Sequence, residues 1–393
     1  LTDFNADGEG TGEGDIRLPF VLMRGGTSKG VFLRADTVPT DREALTRLLL
    51  DLFGSPDRRQ IDGLGGADKL TSKAAVIGPP TRADSDVSYL FGQVGTVRAE
   101  VDYNLNCGNL TAAVGMYAIQ EGLVAPQEGG TLVRVHNVNT DRVIHVSVPV
   151  SGGRPAWKGD FAMGGVPGTG AAIDLDFSRA TGAITGRLLP TGRPLDVFDV
   201  PGIGPVEASV VDGANLVIYV HHTALGMHGL ESPEEIDGDT ALKARMDALR
   251  QLVAYRVGLR SYWDARQAPS TPMLIVLREP ADYLTCTQGD PVAATSLDLV
   301  CRQYASGSAS KTLAGTITAT TGIACCLPGS LPHRLLAGRP PVRAGSLAFG
   351  HPSGVIHVAV EVHPDGEGVR VERLVIQRTA RRLAEGVAYL KSS

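Results

Sequence analysis

Cysteine is scarce in this chain, with five in 393 residues. That odd number, at Cys107, Cys286, Cys301, Cys325 and Cys326, forms neither a disulfide framework nor a metal-binding spacing, and reduced thiols are expected. The nine histidines make no HExxH pattern. His221, His222 and His228 lie near one another in sequence but match no metal motif, and no metal or cofactor is expected. Positive charge is not in excess either: a formal net charge of −5 supplies no basic field for nucleic acid or an anionic membrane surface. No run of twenty apolar residues and no charged–apolar–small leader is visible. The nearest apolar run, 312–327, is broken by Gly and Thr and fits a buried helix. These absences leave a soluble cytoplasmic protein as the expectation. Aromatic residues make up only 5% of the chain while glycine numbers 48, which points to short strands joined by tight turns, not to a helical bundle.

What is present centres on Asn106-Cys107-Gly108-Asn109. Upstream, 96–103 is rich in strand-formers; downstream, 110–123 is almost wholly apolar and ends near Gly122. A helix apolar on nearly every side is a buried one. Cys107 thus falls where a strand gives way to the N-terminus of a central helix. Free backbone N–H groups there attract a carboxylate and favour thiolate over thiol. Asn106 and Asn109 add amide donors, and Gly108 permits close backbone approach. The bland alternative, a small core thiol, is weakened by those polar flanks.

Residues 1–17 are Gly-rich and acidic and are expected to be a disordered tail. A first domain is expected over 18–190, with strands at 18–23 and 31–34 around a Gly-Gly turn. That turn carries Thr27, Ser28 and Lys29, placed to hold a carboxylate. A capping box at Thr40 and Glu43 opens a helix that Gly54 stops. A Gly-rich loop then delivers Ser72 and Lys73 to a strand at 73–77, a position that often faces a cleft. Strands at 86–93 and 96–103 form a hairpin before the cysteine corner, and 131–137 and 143–150 are strands. A second domain is expected over 191–393, repeating the plan: strands at 205–211 and 216–220, a charged helix over 239–257 and a strand at 273–277. A small-residue loop with Ser308, Ser310 and Lys311 then leads into a second buried helix. Strands at 343–349, 355–362 and 369–376 follow, and 379–390 reads as a basic amphipathic helix. That last element has two partners open to it, the first domain or a second subunit of a homodimer. The fold class is α+β, with two central helices whose polar N-termini point into one cleft. A substrate with two or three carboxylates is the natural guest.

The motifs Arg24-Gly25-Gly26-Thr27-Ser28-Lys29-Gly30, Ile61-Asp62-Gly63-Leu64-Gly65-Gly66-Ala67, Thr71-Ser72-Lys73, Asn106-Cys107-Gly108-Asn109 and Gly350-His351-Pro352-Ser353-Gly354, in that order, resemble the 2-methylaconitate isomerase family. That family includes 4-oxalomesaconate tautomerases and methylitaconate isomerases. The likeness spans about 18–391 and includes Arg378-Thr379-Ala380-Arg381-Arg382. It implies a fold similar to diaminopimelate epimerase, with two pseudo-repeated halves, each a curved, mostly antiparallel, barrel-like sheet around a central helix. It also implies a cofactor-free proton shift along an allylic system of an unsaturated di- or tricarboxylate. Lys73 is then the base and Cys107 its acid–base partner, with the direction of transfer open to reversal. Thr27, Ser28, Ser72, Asn106, Gly108, Asn109, Ser308, Ser310, Lys311, His351 and Ser353 are candidates to hold the substrate. Two features depart from the relatives. Two-thiol epimerases of this fold carry a second Cys at the second central helix, where this chain places Gly307-Ser308. The Lys and paired His of methylaconitate isomerases are replaced by Ser308, Ser310 and Lys311. An amino-acid epimerase and a non-catalytic carboxylate binder are the rival readings.

Overall fold

The computed structural model describes residues 16–104, 106–337, 345–365 and 368–391. Its organising feature is one continuous ribbon of strands wrapped about two buried helices. Ile16–Gly25 and Ser28–Arg34 form a hairpin whose register, Gly25 opposite Ser28, leaves Gly26 and Thr27 as its two-residue turn. Helix Arg42–Phe53 then crosses over to Lys73–Gly78, which runs parallel to Ser28–Arg34. Asp41 caps that helix by accepting from the Ala44 N–H at 2.8 Å, one residue later than the capping box places it, and Gly54 ends it at φ 67°. Val87–Val94 adds antiparallel, Thr131–Asn137 parallel to it, and Arg142–Val148 antiparallel again.

The second half repeats this order strand for strand. Gly204–Asp212 and Leu216–His221 are its hairpin, helix Thr240–Arg256 its crossover, and Met273–Arg278 its parallel partner. Leu299–Ala305 adds antiparallel, Ser346–His351 parallel to that, and Gly354–Asp365 antiparallel. The halves join where Ile173–Asp176 pairs with both Arg142–Val148 and Gly368–Arg378. Among the described residues the ribbon does not close: Asp196–Val200 and Ala380–Leu390 each pair on one side only.

Helix Gly108–Gln120 is buried from Gly108 to Ile119, and helix Gly315–Cys326 from Gly315 to Cys325. Neither shows a polar stripe because neither has a solvent face. A Cβ on Gly115 would come within 2.5 Å of Val146, and one on Gly322 within 2.9 Å of Val358. These two glycines stand eight residues beyond the matching N-caps, Cys107 and Ala314, and let each helix sit directly on its sheet. Both helices contribute to the same apolar core. Smaller cores lie under each crossover helix, around Leu45, Leu49 and Phe53 in one half and Met246, Leu249 and Val253 in the other.

Two sequence expectations fail here. The helix expected over 379–390 is a strand, Ala380–Leu390, paired along Ile16–Gly25 from Ile16↔Leu390 to Gly25↔Ala380 with a bulge at Leu22/Met23. Its Ala, Arg, Leu and Glu favour helix, but an open sheet edge of matching length overrides that preference. This closing strand lies on the first half, where Arg382 also reaches Glu121 at 2.7 Å. In 96–103 only Val101–Asp102 is strand. A turn closed by the Gly95 N–H to the Glu100 carbonyl (2.9 Å) replaces the rest, and 95–98 line the central cavity instead. Of the expected tail, 1–15 lie outside the described residues, while Ile16 and Arg17 already belong to the first strand.

Candidate active site

Lys73 is the first residue of its strand, so its side chain and that of Ser72 leave the backbone on opposite faces. The Ser72 hydroxyl donates to Gln60 Oε1 at 2.5 Å, away from the cavity. Lys73 turns inward and is 8% exposed. Its Nζ donates to Gln93 Oε1 at 3.0 Å and lies 3.6 Å from Cys107 Sγ. Gln93 is the cross-strand partner of Lys73. Its own Nε2 donates to the carbonyls of Lys69 (3.2 Å) and Ser72 (3.0 Å), which fixes the amide oxygen toward the ammonium. Replacing Gln93 with Leu is expected to lower kcat about tenfold while KM moves little, because a charged donor loses its acceptor at a cost of about 1.5–3 kcal/mol, part of which water recovers. Steady-state rates of the Q93L and Q93E variants check this.

Cys107 is the N-cap of helix Gly108–Gln120, and no side-chain bond caps that end. The residue is buried, 7% exposed. The matching N-cap of the second helix is Ala314, likewise without a cap bond. The place expected for a second thiol is therefore Ala314, not Gly307-Ser308, which precede the helix on a short strand and turn. The first turns of the two helices touch: a Cβ on Gly108 would stand 3.0 Å from the Thr316 nitrogen. Two positive helix ends thus meet beside one thiol.

A cavity of about 560 Å³ opens at this junction, lined by both halves. Ser28, Lys73, Asn106, Cys107, Gly108 and Asn109 line it from the first half, and Ser308, Ser310 and Lys311 from the second. Thr27 reaches it through Thr312, with the two hydroxyl oxygens 3.2 Å apart. Asn109 donates to Thr27 Oγ1 (2.9 Å) and Ser28 Oγ (3.3 Å), and Asn106 accepts from Asn137 at 3.3 Å. Lys311 is half-exposed and faces Glu234 at 3.8 Å.

Besides Thr27, three candidates do not line this cavity. Ser72 points to Gln60, as above. Ser353 donates to the Lys311 carbonyl at 2.7 Å and so supports the loop from behind. His351 is buried, accepts from the Ser353 N–H at 3.2 Å, and is held down to about 3 by burial, with Arg378 and Arg302 adding to the effect. It is a neutral structural imidazole.

The sequence reading missed Lys69. From the Gly-rich loop its ammonium crosses the cavity to the Ser308 carbonyl (2.9 Å) and hydroxyl (3.0 Å). Burial pushes it down to about 8; Lys73 and Arg250 lower it further while Asp237 and Asp68 oppose. Its spacing of four from Lys73 was the available signal, hidden because the loop has no regular period. Gln93 was recoverable from strand register alone. Cys301 and Cys326 are pushed up to about 12 and about 11 by burial, which suits packing roles. His221, His222 and Glu279 bring ligand atoms within 4.8 Å of one another, but none of the three lines the cavity. Among the described residues no helix is long and apolar enough to cross a membrane.

The pseudo-repeated α+β fold about two central helices is one that a solved epimerase shares. At 10% identity and a TM-score of 0.54, a hydroxyproline epimerase from Agrobacterium vitis shares this fold over 96% of the chain and 93% of its own. The PrpF protein family model matches residues 15–391, and the chain belongs to that family. It is 41% identical over 380 residues to a 3-methylitaconate isomerase of Eubacterium barkeri, covering 96% of this chain and 98% of that one. It is 36% identical over 385 residues to a 2-methyl-aconitate isomerase of Shewanella oneidensis, covering 94% and 96%. A crystal structure of methylitaconate-delta-isomerase matches with a TM-score of 0.77 at 41% identity, covering 96% of each chain. The chain is an isomerase.

Proposed function

We propose that this isomerase shifts a proton and a double bond in an unsaturated di- or tricarboxylate of the methylitaconate, methylaconitate or oxalomesaconate kind, without a cofactor. The observation that carries the reading is the 3.6 Å approach of Lys73 Nζ to Cys107 Sγ at an uncapped helix N-terminus inside the cavity. One of the pair, as free amine or thiolate, takes the allylic proton. The electron pair left behind spreads over a dienolate, whose oxygen charge is met by helix N–H groups and amide donors. Its partner, as thiol or ammonium, then returns a proton at the far carbon, or at the same carbon after bond rotation, and the 3.6 Å contact lets the pair pass the proton back. Ala314 at the second helix counts against a racemase that needs two opposed thiols. The test is incubation with each of the three acids in heavy water, followed by NMR. Deuterium at one allylic carbon with a moved double bond supports the reading; exchange only at an amino-acid α-carbon overturns it.

Lys69 gives this reading a pH signature. As its ammonium loses its charge through about pH 8, the cavity loses a cation and carboxylate binding weakens. KM is expected to rise severalfold between pH 7 and 9, and the Lys69→Met variant to start high and stay flat. In stability the sign is opposite: between about 8 and the ordinary 10.5 the unfolded chain binds the extra proton, so folding gains as pH rises across that window. A wild-type KM that is flat over this range removes Lys69 from the binding site.

A further inference from the structure

The mechanism above makes no use of Arg378, the last residue of strand Gly368–Arg378 and 1% exposed. Its Nε donates to Asn109 Oδ1 at 3.0 Å and one terminal nitrogen donates to the Gln377 carbonyl at 2.7 Å. The other terminal nitrogen is buried without a hydrogen-bond partner. It sits 3.2 Å from where a Cβ on Gly315 would be, at the seam between the first turns of the two central helices. Among the described residues no carboxylate pairs with this guanidinium. A buried cation with an idle donor, placed against two positive helix ends, is costly unless an anion balances it. Arg378 does not itself line the substrate cavity, so the anion that this corner can offer is the thiolate of Cys107.

We propose that Arg378 is a positioning residue of the isomerase site. It holds the Asn109 amide in one orientation, so that the Thr27–Ser28 turn offers hydroxyl protons to a carboxylate, and it sets an unpaired positive charge behind Cys107.

The first half of this follows from donor chemistry. Arginine has no acceptor, so the Asn109 atom facing Nε must be the oxygen. The amide nitrogen is then turned to Thr27 Oγ1 and Ser28 Oγ, which both accept. Ser28 keeps its own proton to donate and lines the cavity, while the Thr27 hydroxyl also shares a hydrogen bond with Thr312. The turn is tied to the same strand end: Gly26 N–H and the Arg24 guanidinium both donate to the Thr379 carbonyl, each at 2.9 Å. A side chain at Gly26 would break the arrangement, since its Cβ would stand 2.5 Å from Asn109 Oδ1 and 3.0 Å from Arg378 Cδ. The second half follows from position. Arg378 bonds to the residue two beyond Cys107, on the same helix turn. Lys73 contacts the thiol, Tyr89 and Arg378 couple to it electrostatically, and Tyr89, pushed well above its ordinary value by burial, stays neutral.

Arg378→Met and Arg378→Lys in the full-length enzyme test this. Iodoacetamide alkylation of Cys107 is followed against pH by peptide mass spectrometry, which scores the exposed Cys286 separately. Arg378→Met is expected to move half-maximal alkylation upward by about one pH unit or more, since a nearby opposite charge is worth about that much. It should also raise KM about tenfold with a larger loss in kcat. Arg378→Lys keeps the charge, so the alkylation profile returns toward wild type while KM stays raised. An Arg378→Met profile that overlays wild type overturns the charge role. An Arg378→Lys variant with wild-type KM overturns the Asn109 role, and that variant decides alone if the Met variant does not fold. Alkylation needs no substrate, so failure of this inference is separable from failure of the substrate reading on which its kinetic arm rests.

Discussion

Cys107→Ala and Lys73→Met are each expected to lower kcat by about a thousandfold or more, because in the proposed mechanism each removes one of the two groups that hand the proton across. Both side chains are nearly buried, and both replacements are neutral and no larger than the original, so melting curves should stay close to wild type. The pair also separates the two directions of transfer. If Lys73 removes the proton, Cys107→Ala still washes deuterium from solvent into the reactant acid without moving its double bond, and Lys73→Met does not. If the thiolate is the base, the two variants exchange these behaviours. NMR of unreacted substrate recovered from heavy water reads the result. A Cys107→Ala enzyme retaining a tenth of wild-type kcat would sink the Lys–Cys mechanism.

The two central helices and their polar entrances were legible because an apolar run without period has one physical meaning, burial on all sides. Asn106-Cys107-Gly108-Asn109 stood out because polar groups before such a run are costly unless they serve a ligand. Strands such as Lys73–Gly78 and Leu216–His221 followed from composition between turn residues. What escaped is what depends on the partner. The chain end at 380–390 carries helix-favouring residues, and only the free edge of Ile16–Gly25 makes it a strand. Ser72 and Lys73 were both candidates where a loop enters a strand, yet strand alternation sends one to Gln60 and the other to Cys107. His351 and Ser353 sit in a motif that looks like a ligand turn, and here it buttresses the Lys311 loop from behind. Lys69 and Arg378 act across chain separations of 239 and 269 residues, which no local pattern carries.

Arg250 makes the same point about stability. In sequence it belongs to a charged helix, but in the fold it is fully buried. Its Nε donates to the Pro272 carbonyl at 2.8 Å, one terminal nitrogen donates to the Pro269 carbonyl, and the other pairs with Asp247 at 2.8 Å. The guanidinium lies 5.1 Å from the Trp263 ring centre and 5.6 Å from that of Tyr304, whose hydroxyl donates to the same Asp247 at 2.9 Å. The segment so held is the bridge between the halves: Thr271 donates to the Asn104 carbonyl at 3.1 Å, and Tyr262 links the Ser270 N–H (3.0 Å) to Asp102 (2.8 Å). Arg250→Ala therefore leaves two buried carbonyls without their donor, while the part-exposed Asp247 keeps Tyr304, and should cost about 2–6 kcal/mol at about 1–3 for each orphaned carbonyl. Arg250→Lys, with one point charge in place of the fork, should fall between. Because Ser270 and Met273 line the cavity, the damage reaches function as well: KM should rise in Arg250→Lys even where the protein remains folded. Thermal melting and steady-state kinetics on the two variants check both halves of this, and an Arg250→Ala protein melting within a degree of wild type would show that the bridge is held by something else.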